Sequence, residues 1–321
     1  MRRDHGGDID AAAARFGAGD WIDLSTGINR RPWPVPGLPA LAWRALPTSA
    51  GAQALTRVAA AWFGCVPAHV LPVPGASAAI QLIPRLLPRG RAAVLWPSYN
   101  EHGASLRAAG WQVTDTRDPA QMAGADLAVV VNPNNPDGRD WTPATLAALA
   151  AQVGHLVVDE SFADARPDLS LAGSAPGNCV ILRSFGKFWG LAGLRLGFVI
   201  AAPDLLARLA EATGPWAVSG PALAVGSAAM ADLAWADATV VYHAEAGLRL
   251  DRMALRAGWQ PAGGTHLFRL YDTADATIAQ ERLARHHIWT RRFPYSPGWL
   301  RLGVPGNRPE WDRLGAALTV R

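Results

Sequence analysis

The stretch that decides the fold is RSFGKFWGLAGLRLG, residues 183–197. It contains Lys187, the single lysine of the chain, so the other 29 of the 30 Lys and Arg residues are arginines. A GC-rich coding bias explains why lysine is scarce, but it does not explain why this lysine remains. An amine can lose its proton and attack a carbonyl, whereas a guanidinium stays charged and forms no Schiff base. The pattern therefore predicts that Lys187 does chemistry that an arginine cannot do.

The neighbours of Lys187 suggest what it would react with. Ser184 lies three residues before it and Arg195 eight residues after it, and glycines at 186, 190, 193 and 197 permit close backbone approach to a ligand. A hydroxyl and a guanidinium beside one amine suit a phosphorylated aldehyde, because the amine takes the aldehyde and the other two take the phosphate. The alternative is a glycine-rich loop that carries an ordinary surface lysine.

Outward from this stretch, apolar strands alternate with helices. Continuous Val, Ile and Leu runs separated by helices are typical of a mostly parallel sheet that is covered on both faces. The sequence therefore predicts an α/β fold: a large domain with helices on both sides of a mostly parallel sheet, and a smaller α+β domain. The predicted strands are 92–96, 111–116, 126–133, 155–160, 179–185 and 196–202, and the predicted helices are 52–63, 76–87, 102–110 and 143–153.

The domain boundaries follow from changes in texture along the chain. Residues 17–51 are rich in Gly, Pro and Trp and predict an irregular arm, and from about residue 231 the pattern changes to a long helix followed by shorter elements. We expect an N-terminal arm over 1–30 that joins the small domain, a large ligand-binding domain over 31–230, and a small C-terminal domain over 231–321.

Composition excludes several classes of protein. Of 321 residues, 50% are hydrophobic and 17% charged, which excludes a disordered chain, and two cysteines exclude a disulfide scaffold and a four-cysteine zinc site, so no metal is predicted. The net charge is +4 but the arginines are scattered, so we expect no nucleic-acid partner, and the basic excess serves either anionic small molecules or nothing specific. The N-terminus lacks the apolar region of a secretory signal, and a long uncharged stretch, 213–231, contains two prolines. We therefore expect a cytoplasmic protein without a membrane span.

Polar residues follow the predicted strands at the ends where open α/β sheets bind ligands. Alone, each has an ordinary reading: Asp159 is a structural or capping acid, and the Asn-Pro run at 132–136 is a plain turn. Together they predict one ligand site at the edge of the sheet. The residues expected there are Asn132, Asn134, Asn135, Asp159, Glu160, Ser184 and Lys187.

A second phosphate-binding element is predicted at Gly75-Ala76-Ser77. A turn that ends in these residues at a helix start offers unpaired backbone N–H groups and the positive end of the helix dipole. The alternative is that Ser77 simply caps the helix. A carboxylate such as Asp159 can in turn hold a pyridinium nitrogen protonated, which makes the ring an electron sink.

These motifs, in this order, resemble the pyridoxal-phosphate enzymes of fold type I, the aspartate aminotransferase superfamily, over nearly the whole chain. The stretch SFGKFWGLAGLRLG is similar to that family's S-x-x-K-x-x-G-x-x-G-x-R-x-G pattern. The resemblance implies pyridoxal 5'-phosphate as cofactor, with Lys187 as the Schiff-base lysine, Asp159 on the pyridine nitrogen and Tyr99 stacked on the ring. It further implies a ring-oxygen contact from Asn135 and phosphate contacts from Ala76, Ser77, Ser184 and Arg195.

Within that superfamily the chain resembles the histidinol-phosphate aminotransferase branch and, inside it, the threonine-phosphate decarboxylases of cobalamin biosynthesis. The resemblance rests on His5-Gly6-Gly7 before an alanine-rich helix, on IDLSTGIN (22–29), and on Phe162, where most aminotransferases of the branch carry tyrosine. PWAVSGPALA (215–224) is also similar to the branch. Three residues depart from the pattern: Leu46 stands where a tyrosine usually reaches the cofactor phosphate of the neighbouring subunit, Asp137 replaces Thr, and Ser219 replaces Asn.

The resemblance implies decarboxylation of L-threonine O-3-phosphate by a homodimer, with Lys187, Asp159 and Tyr99 at the reacting centre. Arg301, in WLRLGV, would grip the substrate carboxylate. Two alternatives stay open: an aminotransferase of the histidinol-phosphate type, and a catalytically silent binding protein on the same fold. The candidate substrate-binding residues are Arg301, Asn29, Gly27, His5, Arg291 and Asn135, with Arg292 as a further candidate for the substrate phosphate.

Overall fold

The structure is a computed structural model that describes residues 5–319. The chain divides into two compact units. Of the described residues, 5–32, 136–138 and 234–319 form the small unit, and 33–135 and 139–233 form the large unit. The expected arm over 1–30 begins in residues that lie outside the described part of the chain.

Helices and strands occupy most of the described chain. The helices within residues 5–319 are α1 (Ile9–Phe16), α2 (Ala40–Arg44), α3 (Ser49–Phe63), α4 (Ala76–Leu86), α5 (Asn100–Ala108), α6 (Pro143–Ala150), α7 (Phe185–Phe188), α8 (Pro203–Thr213), α9 (Gly220–Ala231), α10 (Leu233–Arg256), α11 (Ala276–Ala284) and α12 (Arg308–Thr319). The strands are β1 (Ile22–Asp23), β2 (Val70–Val73), β3 (Arg91–Leu95), β4 (Gln112–Thr116), β5 (Leu127–Val131), β6 (His155–Asp159), β7 (Cys179–Ser184), β8 (Gly197–Ile200), β9 (Gln260–Gly264), β10 (Phe268–Asp272), β11 (Ile288–Trp289), β12 (Arg291–Phe293) and β13 (Ser296–Gly303).

The large unit is built on a seven-stranded sheet with strand order β2-β8-β7-β6-β5-β3-β4. The neighbours from β7 across to β4 run parallel, and β8 runs antiparallel to both β7 and β2. The Val and Leu side chains of β5 and β6 are buried, as strands covered on both faces require. The α/β class with a mostly parallel sheet is thus confirmed.

One hydrophobic core holds helices of the large unit on this sheet. Ile80 and Ile83 of α4 and Leu106 of α5 pack with Val129 of β5 and Val157 of β6 in one buried cluster. Because α4 begins three residues after β2 ends, and α5 begins five residues after β3 ends, this packing fixes where both helix N-termini lie. Both N-termini belong to the ligand site described below.

The small unit has the α+β texture that the sequence indicates. Its four-stranded antiparallel sheet has the order β12-β13-β10-β9, and β1 pairs in parallel with β11. Leu250 of α10, Leu283 of α11 and Leu314 of α12 are buried in a cluster with Leu300 and Leu302 of β13. Within residues 5–319, no helix is long and apolar enough to cross a membrane.

The predicted irregular arm over 17–51 is wrong in detail. The segment contains β1 and α2, and α3 begins at Ser49 because Thr48 caps it, accepting a hydrogen bond from the N–H of Gly51. Helix α2 has no buried residue and no side-chain cap, so its sequence lacks the periodic apolar signal that identifies a helix. Strand β9 was likewise not predicted, since its sequence, QPAGG, has little β propensity.

Candidate active site

A cleft lies at the carboxyl ends of the parallel strands in the large unit, and its empty space, with the open mouth included, is about 630 Å³. The expected cofactor-binding residues converge there, all on the wall of one pocket. The residues that line it are Ala76, Ser77, Ile80, Tyr99, Val131, Asn135, Asp159, Ser161, Phe162, Ser184, Gly186, Lys187, Ala192 and Arg195.

Lys187 lies on α7, the one-turn helix that follows β7 directly. Phe185, Phe188 and Trp189 are almost fully buried and fix this turn, while Lys187 itself is only half-buried and reaches the cleft. Its Nζ lies 5.6 Å from the centroid of the Phe162 ring. An amine against an aromatic face, in a cleft of limited access, is placed to react with a bound carbonyl compound.

Asp159, the last residue of β6, is held by two neighbours. The Nε2–H of His102 donates to its Oδ2 at 2.8 Å, and Ser161 donates to its Oδ1 from the backbone N–H at 3.0 Å and from Oγ at 2.5 Å. Burial alone would raise the pKa of Asp159, but the hydrogen bonds from His102 and Ser161 and the charge of His102 outweigh it, so the pKa lies below its ordinary value. Asp159 is therefore a carboxylate at neutral pH.

The opposite end of the cleft suits a phosphate. The N-cap residue of α4 is Gly75, at φ 84°, with no side-chain cap, so Ser77 is not the capping residue that the alternative reading supposed. A Cβ on Gly75 would lie 2.7 Å from Nη2 of Arg195, and one on Gly197 would lie 2.4 Å from the backbone N of Ala76. Glycine is favoured at position 75 mainly by its positive φ and is required at position 197 because a Cβ there would clash with the backbone of the helix N-terminus.

The Asn-Pro loop after β5 contains three asparagines, Asn132, Asn134 and Asn135, and the structure shows which of them lines the cleft. Asn132 donates from Nδ2 to the carbonyl oxygens of Trp141 and Leu169, and Asn134 donates to the carbonyl oxygen of Pro97. Both side chains hold neighbouring loops and neither lines the cleft; Asn135 does. The expectation that Asn132 and Asn134 belong to the ligand site is thus wrong.

The expectation that Glu160 belongs to the ligand site is also wrong. Glu160 follows Asp159 directly, and because successive side chains of a strand point to opposite faces, it turns away from the cleft. There it forms an ion pair with Arg183, with Nη1 and Oε2 2.8 Å apart. Tyr99, the N-cap residue of α5, lines the cleft as expected, its ring 6.0 Å from the ring of His102.

These residues fit pyridoxal 5'-phosphate. A helix N-terminus without a side-chain cap, the guanidinium of Arg195 and the hydroxyls of Ser77 and Ser184 form a donor set for a phosphate dianion. At the same pocket, the Asp159 carboxylate suits a protonated ring nitrogen and the Lys187 amine suits an aldehyde. An aromatic ring of the cofactor's width would lie among the side chains of Tyr99, Phe162 and Val131.

The expected substrate-binding residues, Asn135 apart, belong to the small unit. Arg301 on β13 is buried and donates from Nη2 to the carbonyl oxygen of Ser25 at 2.5 Å. The Oγ of Ser25 accepts from the N–H of Gly7 at 2.7 Å, which ties the segment after His5 to the same place. Gly27, at φ 62°, and buried Asn29 follow in the same segment.

Arg291 and Arg301 are direct partners across β12 and β13, so they lie on one face of the small sheet. Burial, and next the charge of Arg291, lower the pKa of Arg301 to about 10. Arg301 is still positive at neutral pH, and two like charges opposite each other favour an anion beside them. Arg292 is committed elsewhere, since it donates to Gln280 and Thr277.

Three groups that line the cleft or lie behind it, Ser161, His102 and Arg183, are not predicted from the sequence. His102 and Ser161 were not singled out, although His102 stands three residues after Tyr99 in PSYNEHG, on the helix that follows β3. Arg183 was quoted only as the first letter of the lysine stretch. A signal for Arg183 existed, because a charged residue inside the apolar run CVIL-R-S is costly to bury without a partner.

Comparison with known proteins agrees with this site. The model of the family "Aminotransferase class I and II" matches residues 42–318. Threonine-phosphate decarboxylases from Sinorhizobium sp and Pseudomonas aeruginosa are 46% and 42% identical to this chain, each over 98% of it and 97% of the relative. A histidinol-phosphate aminotransferase from Mycobacterium bovis is 35% identical over 78% of this chain and 72% of its own.

The fold recurs among solved structures. Histidinol-phosphate aminotransferase from Sinorhizobium meliloti, solved in complex with pyridoxal-5'-phosphate, superimposes with a TM-score of 0.83 at 21% identity, covering 97% of this chain and 93% of that one. At this identity the likeness concerns the fold alone.

Proposed function

The chain belongs to the aminotransferase class I and II family, and from that premise we propose that it is a pyridoxal-phosphate-dependent lyase. It decarboxylates L-threonine O-3-phosphate to (R)-1-amino-2-propanol phosphate, a step of cobalamin biosynthesis. The observation that carries the proposal is near-full-length identity, at 46% and 42%, to two threonine-phosphate decarboxylases. The cleft supports it, because it holds an amine, a carboxylate and a phosphate-binding helix N-terminus together.

The cofactor-binding roles are assigned from the chemistry of the cleft. Asp159, kept ionised by His102 and Ser161, would hold a protonated ring nitrogen. Asn135 would donate to the ring oxygen and Tyr99 would cover the ring face. Backbone N–H groups at Ala76 and Ser77, with Ser184 and Arg195, would bind the phosphate.

When bound, pyridoxal phosphate supplies an electron sink for the electron pair that remains when a group leaves the substrate Cα. Lys187 would hold the aldehyde of the cofactor, and its amine would also be able to accept and donate protons at the reacting centre. Loss of the carboxylate as carbon dioxide requires one proton at Cα, and we assign its delivery to the Lys187 ammonium, because Lys187 lines the cleft. No oxidant and no 2-oxo acid enters this balance.

The substrate has two anionic groups, and the small unit has two adjacent arginines. We assign the carboxylate to Arg301, whose planar guanidinium can bind it through two parallel hydrogen bonds. Arg291, the cross-strand partner, would bind the substrate phosphate, with His5, Gly27 and Asn29 contributing from the N-terminal segment. The repulsion that lowers the pKa of Arg301 is relieved when anions lie between the two cations.

The proposal is tested by incubating the purified protein and pyridoxal phosphate with L-threonine phosphate, with and without 2-oxoglutarate. Carbon dioxide and aminopropanol phosphate should form at the same rate in both cases. Glutamate that forms only with 2-oxoglutarate would instead identify an aminotransferase, the alternative that the Mycobacterium bovis relative supports. The Arg291→Gln variant should raise KM for L-threonine phosphate about tenfold or more and leave KM for unphosphorylated L-threonine nearly unchanged.

A catalytically silent binding protein is the remaining alternative. It has no need for an amine, a hydrogen-bonded carboxylate and an arginine-lined phosphate site in one pocket, and these residues all line the cleft. Failure of the protein to bind pyridoxal phosphate, or to turn over any amino acid with the cofactor bound, would support that alternative.

We also propose a homodimer. Leu41, Trp43 and Leu46 of the large unit are 72%, 69% and 62% exposed, on or just after α2. An apolar patch of this kind is typical of a surface that a partner covers. The Trp43→Ser variant should shift light-scattering mass from dimer towards monomer, whereas a monomeric wild-type protein would refute the assembly. A cytoplasmic location stays a prediction.

A further inference from the structure

A buried ion network lies behind the cleft. Arg183 of β7 donates from Nη1 to Oε2 of Glu160 and from Nη2 to Oδ1 of Asp164, each at 2.8 Å. The three side chains are 5%, 0% and 4% exposed. None of the three lines the cleft.

At the ends of β6 and β7, residues of the network are next in sequence to residues that line the cleft. Asp159 and Ser184 line the cleft, and their chain neighbours Glu160 and Arg183 belong to the network. Strands β6 and β7 are paired in parallel up to Asp159 opposite Leu182, and the N–H of Glu160 donates to the carbonyl oxygen of Leu182. The Arg183–Glu160 pair therefore joins the two strands at the point where backbone pairing stops.

The network also reaches the turn that carries Lys187. Asp164 accepts a hydrogen bond from the indole N–H of Trp62 at 3.0 Å. The Trp62 ring packs against Trp189, with centroids 5.2 Å apart, and against Phe188, at 6.4 Å. These are the first two residues after Lys187.

The Glu160 carboxylate accepts two further hydrogen bonds. Its Oε2 accepts from Oγ of Ser170 at 2.6 Å and its Oε1 from the N–H of Leu171 at 2.7 Å. Burial lowers the pKa of Arg183, but the charges of Asp164 and Glu160 outweigh it and the pKa lies above its ordinary value. Arg183 is therefore a charged guanidinium whose Nη1 and Nη2 each hold one carboxylate, while its Nε has no hydrogen-bond partner among the described residues.

Stability alone does not account for such a network. Desolvation offsets most of the attraction in a buried ion pair, and apolar side chains of similar volume often serve the fold as well. A guanidinium fork does what apolar side chains do not: it fixes the direction of two carboxylates at once.

We propose that Arg183 is a positioning residue, which holds the ends of β6 and β7 so that Asp159 and Lys187 meet the same bound cofactor. This inference rests on the proposed function for its cofactor but not for its substrate. Displacing either strand end by a fraction of an ångström would misplace a carboxylate or an amine relative to a ring of fixed size.

The test uses two variants of the full-length protein. Arg183→Lys keeps the charge and loses the fork. The triple variant Glu160→Gln/Asp164→Asn/Arg183→Met removes all three charges together and keeps the side-chain volumes. If Arg183→Lys lowers the midpoint of thermal unfolding, the triple variant should restore that midpoint. For both variants we expect weaker binding of pyridoxal phosphate, by about tenfold, and an altered pH titration of the absorbance of the bound cofactor. With substrate, kcat should fall about tenfold to 10²-fold while KM changes less than about threefold.

A matched control is the Arg269→Lys variant. Arg269 forms a bidentate ion pair with Asp251 in the small unit, at 2.9 and 2.8 Å, so it loses a similar fork. It should leave cofactor affinity and the absorbance titration as in the wild type. A triple variant that regains both stability and wild-type cofactor absorbance would show a purely structural network and overturn the inference. Since these readouts need no substrate, they are independent of whether the wild type decarboxylates L-threonine phosphate.

Discussion

His102 Nε2 lies 2.8 Å from Oδ2 of Asp159, and their side chains are only 4% and 3% exposed. The two residues are 57 positions apart, on the first turn of α5 and at the end of β6. The contact is possible because α5 packs on the sheet through Leu106, which turns the N-terminal end of the helix towards the strand ends. A carboxylate held this way has a fixed direction as well as a fixed charge.

Removing the imidazole should weaken the site through Asp159. In His102→Leu the pKa of Asp159 rises, because burial is then opposed only by Ser161, and a buried carboxylate loses a hydrogen bond worth about 1–3 kcal/mol. We expect pyridoxal phosphate affinity to fall about tenfold or more, as measured by fluorescence titration. His102→Gln, which keeps a donor at a similar reach, should retain most of the affinity. Equal losses in both variants would contradict the role of the hydrogen bond.

Exchanging Lys187 for arginine tests the role of the amine. Lys187→Arg keeps a positive charge in the cleft but cannot form a covalent bond with an aldehyde. Turnover should fall by about 10³-fold or more, while the midpoint of thermal unfolding without cofactor should change little, since the side chain is half-buried. Activity within about tenfold of the wild type would exclude Lys187 as the reacting group.

Adding one methyl group at the phosphate end should damage the site. In Gly75→Ala the new Cβ lies 2.7 Å from Nη2 of Arg195, and the backbone φ of 84° is one that alanine rarely adopts. We expect a loss of about 1–3 kcal/mol in the free energy of unfolding and weaker binding of pyridoxal phosphate. Gly177→Ala is the control, because a Cβ there meets nothing within 4 Å. If Gly75→Ala and Gly177→Ala bind pyridoxal phosphate equally well, the prediction that Gly75→Ala damages the phosphate-binding end of the cleft is refuted.

The small unit contains a histidine that should make stability depend on pH. Burial lowers the pKa of His243 to about 4, with smaller contributions from the charges of His266 and Arg31. The unfolded chain takes up a proton at an ordinary pKa of 6.5, whereas the folded chain does so only near 4, so stability is complete above 6.5 and falls as the pH decreases towards 4. This contribution is about 3 kcal/mol at most.

Urea unfolding at several pH values measures that slope. His243→Phe should show a shallower decline of the free energy of unfolding over this interval, and His69→Gln, at an exposed position, should decline like the wild type. A wild-type curve that stays flat between the two pKa values would contradict the prediction.

The sequence predicts the strands and the lysine turn well, because their signals are local. Val, Ile and Leu runs identify buried strands, and Lys187 is exceptional by count alone. The direction in which a polar side chain points, in contrast, is not determined by the local sequence. Asp159 and Glu160 are adjacent and both follow the same apolar run, yet one lines the cleft and the other pairs with Arg183, 23 residues away.

Pairings between distant residues account for most of what the sequence could not show. His102 meets Asp159 only after α5 has packed on the sheet, and Arg301 meets Ser25 across 276 residues. Asn132 and Asn134 differ from Asn135 only in which loop carbonyls lie within reach. Such choices depend on tertiary packing, so composition and spacing leave them open.

The placement of the one lysine inside the cleft has a practical consequence for anyone who handles the molecule. Reductive trapping with borohydride would attach a pyridoxyl tag at one position, and a protease that cuts after lysine would yield just two fragments. Reagents that acylate ε-amines, such as succinimidyl esters, would compete with the coenzyme for the same nitrogen. Immobilising or labelling the protein through its lysine would therefore abolish its activity. Protection of Lys187 from such labelling would report directly how much of the cleft is occupied by the coenzyme.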